Sequence, residues 1–260
     1  MSTNDKGPSK ETSFVLRSIR HGETSRIVTL FSQSRGKFAV IAKGARKVKS
    51  GSALGSISPP SLIEAIVFFK PSRSVQILGQ VSLIDGYSKI KKDLSLMAYA
   101  AAILQIIERS FTDAEPNQPA YRLLIDTLAE LETSSLHRRI ILWQFELKLL
   151  EVIGFLLNPL PCPICNSKSA AIGQNNHLML DEGAICCTHC DPGSRQRFRL
   201  SGESVSILRL LSNGNQNMLN KLKPSERAFN EISTAIEKYM KYHHQSLGKL
   251  TALKLLEKLG

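Results

Sequence analysis

Cysteine is scarce in this chain and odd in number, with five in 260 residues. Four of them sit in Cys-x-x-Cys pairs, a pattern that favours a metal site in a reducing compartment over a disulfide framework. No apolar run approaches the roughly 18 residues of a membrane span. The opening Met1–Lys10 has no apolar h-region, so no secretory signal is expected and the cytoplasm is the default location. No Gly-x-x-x-x-Gly-Lys-Ser/Thr loop is present, which argues against a P-loop ATPase. A Gly-x-Ser-x-Gly elbow is also missing. No pair of acids stands out as a two-metal nuclease site. Active sites assemble from distant residues, so the reading as a binding module rests instead on what the chain does contain, a basic barrel, a closed metal site and helices.

The cysteines that are there form two knuckles, Cys162-Pro-Ile-Cys165 and Cys187-Thr-His-Cys190, with 21 residues between them. Each can place two thiolates at ~2.3 Å from one ion, and two pairs complete a tetrahedral zinc shell. Cys186 with His189 has the same spacing as Cys187 with Cys190 but leaves Cys190 idle. A catalytic zinc keeps a water position and a nearby base. Four thiolates close the shell, and no His-x-Glu stands upstream as in a zinc deaminase. One structural Zn2+ is therefore expected at Cys162, Cys165, Cys187 and Cys190. His177, in the intervening loop, is expected in solvent. The segment can also present Arg195, Arg197 and Arg199 to a polyanion.

Acids are in short supply. The chain holds 22 against 34 Lys and Arg, a net +12. Residues 1–80 carry +9 of it, from 13 basic and 4 acidic side chains. Nine cations and one acid, Glu23, fall in residues 17–49. This asymmetry suggests a polyanionic partner for the N-terminal part, although a charge run can equally be a solvated face. Apolar, β-forming stretches recur at Phe14–Ile19, Ile27–Phe31, Phe38–Ala42, Leu62–Phe69 and Val75–Ile84, separated by turn residues. Five short strands fit a five-stranded OB-fold barrel over residues 12–85, after a disordered stretch over 1–11. Alternation puts Phe38, Val40 and Ala42 on one face and Lys37 and Lys43 on the other. A basic groove on such a barrel tracks a nucleic-acid backbone. Arg17, Arg20, Arg35, Lys37, Lys43, Arg46, Lys47 and Lys49 are the candidate DNA-binding residues. The aromatics here (Phe14, Phe31, Phe38, Phe68 and Phe69) read mostly as core, so contact through phosphates is favoured over base stacking.

The remainder reads as an all-α domain in two parts, residues 86–158 and 199–260, with the cysteine segment (159–198) inserted. The expected helices run from an Asp93 cap to Ser110, from Pro119 to Glu132, and from Ser135 to Ile153. Further helices start at Ser201 and near Pro224, and a last one covers Leu247–Leu259. Trp143, Phe145, Leu149 and Phe155 are expected in the core.

Four separated segments, in order, resemble the bacterial RecO family of DNA repair proteins. The first is Val15-Leu16 … His21-Gly22-Glu23-Thr24 … Arg35-Gly36-Lys37 … Ala42-Lys43-Gly44-Ala45-Arg46. The second is Phe145-Glu146-Leu147 … Gly154-Phe155 … Asn158, and the third is Gly183-Ala184-Ile185-Cys186-Cys187-Thr188-His189-Cys190. The last is Tyr242 … Leu247-Gly248-Lys249-Leu250 … Lys254. Ala184 stands where the family has a second Gly, and Thr251 and Ala252 where a Ser is usual. The resemblance implies an N-terminal OB-fold and Cys187 and Cys190 as the second ligand pair. It also implies binding of single- and double-stranded DNA, annealing of complementary strands, and work with RecR and RecF. The expected outcome is loading of RecA on strands coated by single-stranded-DNA-binding protein. A zinc-dependent nucleic-acid-modifying enzyme is the competing reading, and it requires a non-thiolate ligand or an open zinc position. A scaffold for other repair proteins is a third.

Overall fold

The computed structural model describes residues 7–45, 57–167, 176–190, 196–213, 216–250 and 252. Arg46, Lys47, Lys49 and Arg195 lie outside them, as does most of the expected last helix. The chain divides into two compact units, Met1–Glu132 with Leu250–Gly260, and Thr133–Lys249.

The first unit is built on five strands: β1 (Gly7–His21), β2 (Ser25–Ser32), β3 (Gly36–Ala42), β4 (Leu62–Phe69) and β5 (Val75–Asp85). They close into a barrel in the order β1-β2-β3-β5-β4, with β4 returning to β1 and only β3 and β5 parallel. This is the OB-fold expected from the strand spacing. Period-two alternation buries Phe38, Val40 and Ala42 in the barrel interior with Val15, Val28, Leu30, Ile63 and Val67. Residues 7–11, expected to be disordered, instead extend β1 and pair with residues 65–69 of β4. Their polarity misleads because pairing with β4 supplies the hydrogen bonds.

A bulge between Val15 and Arg17 bends β1 and breaks its alternation. Phe14, Val15 and Leu16 are consequently all buried. Phe14 lies opposite Phe31 on the outer face of the barrel. Three short-range connected helices pack there: α1 (Ser88–Lys92), α2 (Leu94–Ser110) and α3 (Gln118–Thr133). The contact is aromatic. Phe14 lies 6.2 Å from Tyr87 and 5.6 Å from Tyr121, and Phe31 lies 5.6 Å from Phe111, centroid to centroid. Each such pair contributes ~1 kcal/mol beyond the burial of its area. Asp93 caps α2 as expected, accepting from the Leu96 N–H at 2.9 Å.

The second unit centres on α4 (Arg138–Val152), buried on nearly all sides and carrying Trp143, Phe145 and Leu149 into the core. Phe155 is only half-buried and stacks on His243 at 4.6 Å. The cysteine segment forms a small sheet that the sequence did not announce, with strand order β7-β6-β8. Its strands are β6 (Asn176–Met179), β7 (Ala184–Cys186) and β8 (Arg197–Leu200). Helices α5 (Gly202–Asn213), α6 (Gln216–Leu219) and α7 (Glu226–His243) follow, then a 3₁₀ turn at Gln245–Lys249. Glu231 of α7 closes the start of α5, accepting from the Ser201 N–H and the Ser204 hydroxyl at 2.7 Å each. Among the described residues, no helix is long and apolar enough to cross a membrane.

Candidate nucleic-acid interface and metal centre

The cations of residues 17–49 look alike in sequence, and the barrel sorts them. Arg35 turns inward. Its Nε donates to Glu11 Oε1 at 2.7 Å, and its guanidinium lies 4.0 Å from the centre of the Phe69 ring. Glu11 is only 4% exposed and also accepts from the Ser34 and Ser9 hydroxyls. Burial alone pushes a carboxyl pKa up, but the bonds from Ser34, Arg35 and Ser9 outweigh it and hold Glu11 below its ordinary value. Lys37 is drawn onto the end of α2, where its Nζ donates to the Glu108 carbonyl at 2.9 Å and faces Asp113 at 3.5 Å. The carbonyl end of a helix favours a cation. Gly36 sits between them at φ +66°, and a Cβ there would fall 2.0 Å from the Glu115 carbonyl oxygen. Only glycine permits that approach. Arg17 faces Glu108 at 3.6 Å and keeps most of its side chain in solvent.

Arg20 and Lys43 are exposed. Arg20 stands directly opposite Arg26 across β1 and β2, and Arg26 stands opposite Ala42, the neighbour of Lys43. Two strands and the turn that follows a third thus bring three cations to one rim of the barrel. Arg26 is absent from the candidate set read off the sequence. Its face is legible in β2, where Arg26 alternates in step with the interior Val28 and Leu30, whereas the bulge at Leu16 is what turns Arg20 to the same side. Phe68, read as core, is 43% exposed instead.

The two knuckles meet within the second unit. The Sγ atoms of Cys162, Cys165, Cys187 and Cys190 all lie within 4.8 Å of one another. Cys165 to Cys187 is 3.8 Å and Cys187 to Cys190 is 3.6 Å. Four sulfurs placed ~2.3 Å from a common centre would be about 3.8 Å apart, so the cluster fits a tetrahedral metal ion. The Cys187 N–H points at Cys162 Sγ from 3.5 Å. Burial would raise the Cys162 pKa, but backbone N–H groups of Cys165, Cys187 and Ile164 prevail and bring it down to about 6. Cys186 behaves differently. It is fully buried, directs its Sγ to the Cys190 carbonyl at 3.4 Å, and is pushed up to about 12 by burial and by the neighbouring sulfurs. The thiol is therefore a packing group. His189, beside Thr188 on the surface, is not part of the cluster.

Gly183 fixes the second knuckle against α7. It has φ +64°, and a Cβ would fall 2.2 Å from Tyr239 Oη and 2.7 Å from the Leu156 carbonyl. The Asn158 N–H donates to the Gly183 carbonyl at 2.7 Å. His177, expected in solvent, is half-buried in β6 opposite Cys186 and Arg199. Arg197 and Arg199 are exposed on β8, on either side of Phe198, which carries Lys238 over its ring at 4.9 Å.

Comparison with known proteins covers both units. The family model described as Recombination protein O N terminal matches residues 8–87, and Recombination protein O C terminal matches residues 91–251. A protein named DNA repair protein RecO from Bacillus pumilus is 31% identical over 232 residues, 88% of this chain and 87% of that one. Another of the same name from Exiguobacterium sibiricum is 32% identical over 178 residues, 68% of each chain. One from Desulforamulus reducens is 27% identical over 242 residues, 93% of this chain and 92% of that one. The chain belongs to the RecO family of DNA repair proteins.

Proposed function

We propose that this RecO-family chain is a non-enzymatic DNA-binding protein of recombinational repair. It binds single- and double-stranded DNA through the basic barrel and promotes annealing of complementary strands. With RecR and RecF it helps load RecA on DNA coated by single-stranded-DNA-binding protein, in the cytoplasm at the nucleoid. The observation that carries the reading is an OB-fold barrel with exposed cations gathered at one rim. Annealing without ATP requires only a cationic surface that neutralises two repelling phosphate backbones and holds them close. Of the candidates read from the sequence, Arg17, Arg20 and Lys43 are described members of that surface, and Arg46, Lys47 and Lys49, outside the described residues, are assigned to it on their charge and place in the sequence. Arg35 and Lys37 hold the barrel and reach DNA only at the expense of their internal partners. The ion held by the four cysteines is a structural Zn2+.

The test is a salt titration of oligonucleotide binding by wild type and a Lys43/Arg46/Lys47→Ala variant. The variant is expected to show a shallower slope of log K against log salt, and an unchanged slope removes these residues from the interface. A strand-annealing assay without ATP tests the activity itself, and no acceleration over protein-free controls would overturn it. The competing enzyme reading falls if X-ray absorption finds four sulfurs and no light-atom ligand at the metal.

A further inference from the structure

The rim holding Arg20 and Arg26 is costly to the free protein. The two arginines are register partners on adjacent antiparallel strands, and they continue the inward-facing series of Ser18 opposite Val28. Cβ atoms of such partners lie about 5 Å apart, where like charges repel. Neither has an acidic partner among the described residues, in contrast to Arg17 and Arg35, which face Glu108 and Glu11. Arg26 is half-buried, and its Nε is shielded from solvent without a hydrogen-bond acceptor among the described residues. A buried donor left unmet is destabilising. Folding alone therefore gains nothing from the pair.

An anion between the two guanidinium groups reverses each of these terms. It cancels the repulsion, supplies an acceptor for Arg26, and suits two planar donor forks approaching from neighbouring strands. We infer that Arg20 and Arg26 form a clamp for a single backbone phosphate of DNA at the mouth of the barrel. Lys43, in the turn after the Ala42 that faces Arg26, adds further charge near the end of the third strand. This inference rests on the DNA-binding reading and sharpens it. The remaining cations supply a diffuse field, whereas the clamp fixes one phosphate and hence the register of the strand on the protein. Its register faces the barrel mouth, so the anchored phosphate sits at the end of the barrel and not across its outer face.

The test is the salt dependence of binding to a labelled single-stranded oligonucleotide by Arg20→Ala, Arg26→Ala, the double variant and Arg26→Lys. Each neutralised phosphate adds about 0.7 to the slope on single strands. The clamp predicts that each alanine variant loses about that much, and that the double variant loses no more than either single one, because both residues serve one phosphate. Arg26→Lys should keep the slope and bind more weakly, since the charge remains and the fork is lost. Thermal melting of the free protein should show Arg26→Ala as stable as wild type or more so. A wild-type slope in Arg26→Ala, or a twofold loss in the double variant, overturns the shared clamp while leaving DNA binding intact. A lowered melting point in Arg26→Ala together with a wild-type slope would assign the residue to the fold. If the wild-type protein binds no DNA at low salt, the DNA-binding reading falls and the clamp with it.

Discussion

The barrel and the cysteine sheet are both small β structures, but they are held together by different means. The barrel has a buried apolar set contributed by all five strands, and it closes on itself so that the first and fourth strands pair. The cysteine sheet has three strands of four, three and four residues, and its own buried cluster is Cys162, Met179, Cys186 and Cys187. The barrel is stabilised by burial and closure, whereas the sheet carries a sulfur cluster that fits a metal ion. The barrel leaves Arg20 and Lys43 exposed at its rim, while the four sulfurs of the cysteine cluster converge within 4.8 Å of one another, as a shared metal ion would require.

Removing the metal should break this comparison most visibly. A structural zinc site has an apparent binding free energy of about 10 kcal/mol. Chelation, or Cys162→Ala, should therefore strongly destabilise the second unit in calorimetry while oligonucleotide affinity falls only indirectly. A Cys162→Ala protein that melts like wild type yet loses DNA affinity would make the cysteine segment a DNA-reading finger instead.

Arg35→Ala comes next. It leaves the Glu11 carboxylate buried without its cation, which costs about 3 kcal/mol. Chemical denaturation should register this loss, and the salt slope of DNA binding should stay at the wild-type value. A reduced slope with normal stability would return Arg35 to the interface.

The second unit also carries a pH dependence opposite in sign to that of Glu11 in the barrel. Glu146 in the core has its pKa pushed up to about 8, chiefly by burial and against the pull of Arg139. A raised folded-state value means that its contribution is intact below the unfolded carboxyl value of ~4.5 and is lost as pH rises towards 8. Glu146→Gln should therefore stabilise the protein at pH 7, by on the order of 2 kcal/mol, and leave it unchanged at pH 4. Equal effects at both pH values in urea denaturation would show that ionisation of Glu146 is not the cause.

Arg17→Ala should do least to stability. Its ion pair with Glu108 spans 3.6 Å and the arginine is 58% exposed, and such pairs contribute ~0.5 kcal/mol or less. Against Arg35→Ala in the same denaturation series, it measures how far burial, and not charge, separates two arginines of one basic stretch.

Several features were legible because they are local. Strand alternation around Phe38, Val40 and Ala42 gave the inner face of β3, and the Asp93 cap marked the start of α2. The cysteine spacing located the four sulfurs, since two knuckles can meet only if each supplies a pair. Other features depend on contacts between distant residues. Glu11 reaches Arg35 from 24 positions away, and Lys37 reaches the Glu108 carbonyl from 71. No window of sequence contains either pair. The bulge in β1 hid the pairing of Arg20 with Arg26 for a related reason, because that register is set by strand pairing.

The five-strand pattern, the tetrad of cysteines and the excess of cations near the N-terminus are all readable from the chain, since periodicity, spacing and composition are written along it. Which cations are paired follows from folding instead. Barrel closure brings Glu11 to Arg35, packing of α2 brings Glu108 to Arg17 and Lys37, and the register of β1 on β2 sets Arg20 against Arg26. Whether a charge is neutralised or available depends on what lies within a few ångströms of it, and in a folded chain that neighbour comes from elsewhere in the sequence.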